Sequence, residues 1–345
     1  MPEGFLAGLG LAIVAGFCNG AFMLPQRYVR GWQWENMWIV FASVSQVLLP
    51  WIVASFAIPD LGRGLRDSPR EFLLPGIIAG LIWGMGMVTY GLGVKMIGVA
   101  AGNALVAGMS TVAGSLGPLI VYTPEKILTS VGLIFFAALA LIVGGIYIYG
   151  KAGVQREKEG PVAQPAPQGT RSEFRAGLIA CLVTGVLGTA FIYGFASSTE
   201  LVKGAVNAGA RPSVAGYVVW AVIFSTGYIS NLGYSLYRMK QNQTAGAFTQ
   251  SGHFLSNSAL TCLMAALWYG GVLMYGTAAG ALGRLGPSVG SGIYISGTVL
   301  FANLLGWMAG EWRGASPGVI RGYVTGLGFI VAGITVMAAG IAFTG

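Results

Sequence analysis

The sequence predicts an all-α polytopic membrane protein, with ten transmembrane helices arranged as two inverted five-helix repeats. Three observations predict it. Hydrophobic residues make up 55% of the 345 residues and charged residues only 9%, against about a quarter in soluble domains. Apolar runs of roughly 20 residues, the length that crosses a bilayer, follow one another along the chain. One motif is also written twice, 185 residues apart: Trp83-Gly84-Met85-Gly86-Met87-Val88-Thr89-Tyr90-Gly91 and Trp268-Tyr269-Gly270-Gly271-Val272-Leu273-Met274-Tyr275-Gly276. A weaker echo links Gly16, Ala21 and Phe22 to Gly185, Ala190 and Phe191.

The first run, 4–24, carries Gly8, Gly16 and Gly20. Glu3 stands where a signal peptide has a basic segment, so this run reads as a packing helix and not as a cleaved leader. The second, 37–58, holds Ser43, Ser45, Gln46, Pro50 and Trp51. The third, 72–94, carries the repeated motif, and 100–122 and 128–150 complete the first half. Residues 151–173 combine Lys151, Arg156, Glu157, Lys158 and Glu159 with Pro161, Pro165 and Pro167. This polar, Pro-rich stretch is a linker and not a span. Beyond it come 174–195, 213–236, 255–276 with the second copy of the motif, 287–308 and 319–343. The division is 1–150 for the first repeat, 151–173 for the linker and 174–345 for the second repeat. Five spans is an odd number, so the second half enters the membrane from the opposite side, which makes the repeats inverted. Small-residue pairs Gly16/Gly20, Gly80/Gly84 and Gly306/Gly310 set faces on which helix backbones can approach closely. Outer-membrane barrels need alternating strands, and none are visible.

The net charge of +8 does not point to nucleic acid, because Lys and Arg lie in the loops. Twelve fall on the linker's side and seven on the other. The positive-inside rule therefore places the linker in the cytoplasm and both termini outside, in a multi-pass protein of the inner (plasma) membrane. Cys18, Cys181 and Cys262 sit in three different runs and read as small buried residues, not as a metal site or a disulfide framework. There is no Walker A motif, no Cys/His cluster and no Gly-x-Ser-x-Gly elbow. An ATP-driven pump, an intramembrane enzyme and a cofactor all lack support.

Candidate transport residues are polar or aromatic groups at membrane depth, which must face a cavity or find partners. Gln46, Asn231 and Asn257 carry the donors and acceptor that recognise a neutral polyol, as do Asn19, Asn103 and Asn303. Trp83, Tyr90, Trp268 and Tyr275 offer flat faces for a sugar's C–H surface, and Tyr294 does the same. Packing and interhelical bonding are the competing readings for each. The first loop, Gln26 to Trp38, sets Glu35 among Trp32, Trp34 and Trp38. Glu35 reads either as a carboxylate at a helix start or as a proton carrier whose affinity shifts as water is excluded. His253, the only His, and Glu311 are the next candidates.

The stretch Trp32-x-Trp34-Glu35-x-Met37-Trp38, followed by Val44-Ser45 and Leu49-Pro50-Trp51, resembles the L-rhamnose–proton symporter family, a branch of the drug/metabolite transporter superfamily. The likeness continues through Trp83-Gly84-x-Gly86, Tyr90-Gly91-Leu92, Asn231-Leu232-Gly233, Asn257, Trp268-Tyr269 and Glu311-Trp312, over essentially the whole chain. The resemblance implies ten helices in inverted repeats and sugar uptake driven by protons. It also implies cytoplasmic termini, the opposite of the charge count. Two departures concern the sugar. Ser256 stands where the enteric rhamnose carriers have a His, and Pro287-Ser288-Val289-Gly290-Ser291-Gly292 replaces a polar, aromatic cluster.

The function read from the sequence is proton-coupled uptake of a monosaccharide, L-rhamnose or a related 6-deoxyhexose, by alternating access. Its partners are a neutral sugar, a proton and the lipid bilayer. The alternatives are an exporter of another small solute and a non-transporting membrane receptor. An exporter calls for a carboxylate at a span centre, where this chain has no Asp or Glu. A receptor has no use for a duplicated half.

Overall fold

The computed structural model describes residues 4–97, 99–159, 171–283, 286–310 and 312–344. Every regular element among them is helical. Helix α1 is Phe5–Ala21. The second span is one continuous helical rod of three parts: α2, Trp34–Ala42, a π-helical turn over Ser43–Leu48, and α3, Leu49–Ala57. Pro50 explains the π turn. It has no N–H to donate, and its ring crowds the carbonyl four residues back. A wider turn relieves this, and the Leu49 N–H reaches Val44 O, five residues back. A short α4, Leu61–Asp67, precedes α5, Leu74–Ile97, α6, Val99–Tyr122, and α7, Ser130–Glu159. The second half contains α8, Arg171–Leu187, α9, Ala190–Ser197, α10, Thr199–Asn207, α11, Tyr217–Asn242, and α12, Ala247–Gln250. It ends with α13, Phe254–Ala281, α14, Gly286–Met308, and α15, Pro317–Thr344.

Nine helical segments among the described residues are long and apolar enough to cross a membrane. They fall on nine of the ten predicted runs. The remaining run, 213–236, falls on α11, a 26-residue helix that is not one of the nine. Ser225, Thr226, Tyr228, Ser230, Asn231, Tyr234 and Ser235 dilute its apolarity. Yet Val218 through Phe224 are all buried. A helix enclosed by protein does not need the apolar surface that lipid demands. The sixth run, 174–195, is interrupted between α8 and α9, where Thr189 N–H folds back to Val186 O at 3.1 Å.

Helix extends into both ends of the polar stretch read as a linker. Helix α7 continues to Glu159 and α8 begins at Arg171, so both ends of 151–173 are helical, while 160–170, with all three prolines, lies outside the described residues. Cations at a helix C-terminus complement its carbonyl end, and Arg156 and Lys158 occupy the last turn of α7.

The chain forms two compact units, each drawn from both halves of the sequence: Met1–Gly20, Thr89–Thr189 and Ala278–Gly345, and Ala21–Val88 with Ala190–Thr277. In the first unit α7 and α15 cross closely. A Cβ on Gly326 would lie 2.6 Å from Tyr149 N and 2.8 Å from Gly145 O. Around that crossing pack Phe135, Ile142, Ile146, Leu327, Ile330 and Met337. At one end Ser316 donates to the Glu159 carboxylate through its N–H (3.2 Å) and hydroxyl (3.1 Å). These bonds hold the Glu159 carboxyl below its usual range. Arg156 lies over the Trp312 ring at 5.2 Å, and Trp312 packs on Tyr323. Gly16 and Gly20 bring α1 against α14: a Cβ at Gly16 would meet Gly297 Cα at 3.1 Å.

In the second unit α11 is central, contacted by α2, α3, α9 and α10. Gly80 and Gly84 bring α5 against it, and a Cβ at Gly84 would lie 2.6 Å from Gly227 O. The predicted pairs at 16/20 and 80/84 thus mark close helix contacts. The pair Gly306/Gly310 does not, because Gly310 follows the end of α14 with φ +81°. It turns the chain in a conformation that L side chains rarely adopt.

Gly84→Ala forces two backbones apart and is expected to destabilise the protein by about 1–3 kcal/mol. Gly270→Ala adds a methyl where nothing lies within 4 Å and is expected to leave the thermal unfolding midpoint in detergent unchanged.

Candidate functional site

The residues singled out by the sequence gather mainly in the second unit, beginning at the start of α2. Gln33 caps this helix in an extended conformation. Its N–H donates to Asn36 Oδ1 at 3.1 Å, and its side chain accepts the Asn36 N–H. This reciprocal bonding fixes the first turn and aims the next side chains. Glu35 is 2% exposed. Its Oε1 accepts from Asn242 Nδ2 at 2.9 Å and Thr244 Oγ1 at 2.8 Å. Beside it, Asn36 Nδ2 donates to Thr244 O at 2.9 Å. Both side-chain donors to Glu35 are neutral, as is its own backbone N–H, which also bonds the carboxylate, and Arg238 on α11 adds electrostatic attraction.

The tryptophans that flank Glu35 in sequence do other work. Trp34 stacks on Trp38 with centroids 5.2 Å apart, and Trp32 meets Phe248 and Phe254 edge-on. The turn at 242–244 binds the carboxylate. No local pattern announces that turn, because it lies about 200 residues along the chain.

Asn257 is fully buried, and its amide is committed to one main-chain position. The Arg30 N–H donates to Asn257 Oδ1 at 3.1 Å, and Asn257 Nδ2 donates to Arg30 O at 2.7 Å. Asn231 accepts the Trp38 indole N–H at 3.1 Å and donates to Gly227 O at 3.2 Å. Two further bonds extend this seam: Ser43 Oγ to Tyr228 OH, 2.9 Å, and Trp51 Nε1 to Ser225 Oγ, 2.7 Å.

Along the seam runs an array of rings. Trp38 packs on Phe41 (4.7 Å), and Phe41 meets Trp268 edge-on (6.0 Å). Trp268 stacks on Trp83 (5.9 Å, 28° between planes). Phe224 lies 5.3 Å from Trp83 and 5.0 Å from Trp268. The repeated motif thus brings its two tryptophans face to face. Gln46 lies on the π turn, 1% exposed, and its Oε1 has no protein partner. Tyr269 OH and Ser235 Oγ are likewise buried without one. Buried polar atoms are normally hydrogen-bonded, so such orphans want a water or a ligand. The sequence reading passed over Tyr269, whose place in the first copy of the motif is taken by Gly84.

Tyr275 is buried on α13 in the same unit. His253 is exposed just before α13. Tyr90 belongs to the first unit, where its hydroxyl donates to Asn103 Oδ1 at 2.6 Å. In that unit Asn19 Nδ2 donates to Tyr294 OH, and Asn303 Nδ2 donates to Val299 O at 2.8 Å. Glu311 lies outside the described residues. No group of three His, Cys, Asp or Glu able to hold a metal occurs among the described residues.

With this geometry in place, comparison with known proteins is decisive. Residues 1–344 match the family described as L-rhamnose-proton symport protein (RhaT). The chain belongs to the L-rhamnose–proton symporter family. An L-rhamnose-proton symporter of Mannheimia succiniciproducens is 25% identical over 355 residues, covering 99% of this chain and 100% of that protein. Proteins of the same name from Cronobacter sakazakii and Klebsiella pneumoniae are each 23% identical over 351 residues, covering 99% of this chain. The protein is accordingly a multi-pass transporter of the bacterial inner membrane and not an enzyme.

Asn257→Ala leaves both main-chain groups of Arg30 unpaired. It is expected to lower stability by about 1–3 kcal/mol, seen as a fall in the thermal midpoint of the sugar-free protein.

Proposed function

We propose that the chain carries L-rhamnose, or a closely related 6-deoxyhexose, together with a proton, by alternating access. The observation that carries this reading is Glu35, a carboxylate buried at the end of a membrane helix and bonded by two neutral side chains. A charged group in that position is costly to keep, and in a member of a proton symporter family it is the natural proton carrier. A coupling group must hold its proton more tightly in one conformation than in another. Exchange of the bonds from Asn242 and Thr244 for water, or for an apolar wall, would do so.

The sugar is assigned to the second unit, at the aromatic array. The faces of Trp83 and Trp268 suit C–H surface and the methyl group of a deoxy sugar. Gln46 Oε1 and Tyr269 OH supply the acceptor and donor for its hydroxyls. Asn231 and Asn257 support the scaffold through Trp38 and Arg30, while Tyr275, in the same unit, is kept as a secondary contact; Tyr90, bonded to Asn103 in the first unit, is left out of this site.

Alternating access by inverted repeats draws support from where the compact units divide. The breaks at 20/21 and 189/190 are separated by the same 169 residues that separate Gly16 from Gly185 and Phe22 from Phe191. The other two breaks, at 88/89 and 277/278, come just after Trp83 and Trp268. Corresponding points of the two halves thus pass from one unit to the other. Helix α11 completes ten crossings in this reading, with the linker cytoplasmic as the loop charges indicate.

In proteoliposomes, Glu35→Gln is expected to retain sugar binding and counterflow exchange but to lose accumulation driven by a pH gradient. Concentrative uptake that survives with its pH dependence intact would reject Glu35 and turn attention to His253 or Glu311. Gln46→Ala is expected to weaken sugar binding by about 1–3 kcal/mol in a titration of the folded protein.

A further inference from the structure

The turn that holds Glu35 is itself unusual. Helix α11 ends at Asn242, and the next residue, Gln243, adopts the left-handed conformation with φ 55° and ψ 37°. Gln243 has the one positive φ outside glycine among the described residues. Helices commonly end this way, but with Gly or Asn, since a longer side chain pays a steric penalty there. Such conformations persist where the surroundings enforce them and often mark functional segments. Here the left-handed residue separates the two donors to Glu35. Reversal of the chain at Gln243 carries Thr244 back so that its hydroxyl meets Glu35, its carbonyl meets Asn36, and its N–H bonds Met239 O at 3.1 Å. Asn242, on the last helical turn, reaches the same Glu35 oxygen.

We infer that Asn242, Gln243 and Thr244 form a proton-sensing latch, in which Asn242 and Thr244 are positioning residues that clamp the start of α2 to the end of α11 while Glu35 is ionised and loosen that clamp when Glu35 takes up a proton. The inference rests on Glu35 as the coupling group. A carboxylate accepts both bonds with charge assistance, and such bonds are about twice as strong as neutral ones. Protonation places a hydrogen on the carboxyl and removes that assistance from the bonds that remain. The Asn36 bond to the Thr244 carbonyl does not titrate, so it keeps the two segments in register while the Glu35 bonds weaken.

The charged and titratable groups on the surrounding elements are few. Arg27, Tyr28 and Arg30 precede α2, Tyr234, Tyr237, Arg238 and Lys240 lie on the C-terminal part of α11, and His253 precedes α13. Of these, Arg238 acts electrostatically on Glu35, and it is held along its own helix by a 3.2 Å bond to Gln241 Oε1. Removing a neutral donor such as the Thr244 hydroxyl therefore changes the preference of Glu35 for its charged form while the set of neighbouring charges stays the same.

The test measures the pH dependence of rhamnose uptake in proteoliposomes for Thr244→Val, Thr244→Ser, Glu35→Gln and the Glu35→Gln/Thr244→Val pair. Loss of a donor to the ionised form raises proton affinity. Thr244→Val is therefore expected to move the midpoint upward by about one pH unit, the size of a charge-assisted bond, with rhamnose affinity at fixed alkaline pH unchanged. Thr244→Ser keeps the hydroxyl and is expected to restore the parent midpoint. In the Glu35→Gln background, Thr244→Val is expected to add no shift. A Thr244→Val midpoint equal to the parent's, in protein that folds and binds sugar, overturns the latch. So does a shift that Thr244→Ser fails to restore. If Glu35→Gln itself keeps pH-dependent accumulation, the assignment of Glu35 fails instead, and the two failures are told apart.

Discussion

The second unit depends on a seam of side-chain hydrogen bonds between the α2–α3 rod and α11. Trp38 pairs with Asn231, Ser43 with Tyr228 and Trp51 with Ser225. The numbers rise on one side and fall on the other, as two antiparallel helices require. At membrane depth there is no water to satisfy these groups, so each is bound to seek its partner. The seam fixes the rotation of α2 about its axis. That rotation decides that Glu35 meets the 242–244 turn and that Phe41 meets Trp268. The π turn lies within the seam at Ser43–Leu48. It lets a rod containing Pro50 keep three contacts along one partner.

Apolar length is a local property, so nine of the ten runs read from the sequence fall on membrane-length helices among the described residues. Helix α11 was legible as a helix but not as the enclosed centre of a unit, because its polar residues look costly until their partners are known. The Gly pairs at 16/20 and 80/84 signalled close approach, whereas Gly310 looked the same in sequence and serves a turn.

At the site the limit is again partnership. Sequence shows that Asn257 is an amide at depth, but it does not show that both ends of that amide face the backbone of Arg30, 227 residues away. Glu35 was visible because a carboxylate among tryptophans is rare. Its covering was not, since Asn242, Gln243 and Thr244 look like an ordinary polar loop. The backbone conformation of Gln243 gives that loop its meaning, and nothing in the residue type foretells it. The repeated tryptophans were legible as a pair because duplication leaves identical letters at matched spacing.

The seam also constrains how the chain is made. Its three bonds join residues 193, 185 and 174 positions apart. At synthesis rates of about 5–20 residues per second, α2 waits roughly 10–40 s in the membrane before α11 emerges from the ribosome. During that interval the indole N–H groups of Trp38 and Trp51 and the hydroxyl of Ser43 are in hydrocarbon without their eventual acceptors. Something else must shelter the first half meanwhile, whether lipid headgroups, the insertion machinery or a transient pairing among its own helices. Neither half can assemble its share of a unit until the other is inserted, so the nascent protein passes through a long-lived, half-satisfied stage exposed to membrane quality control.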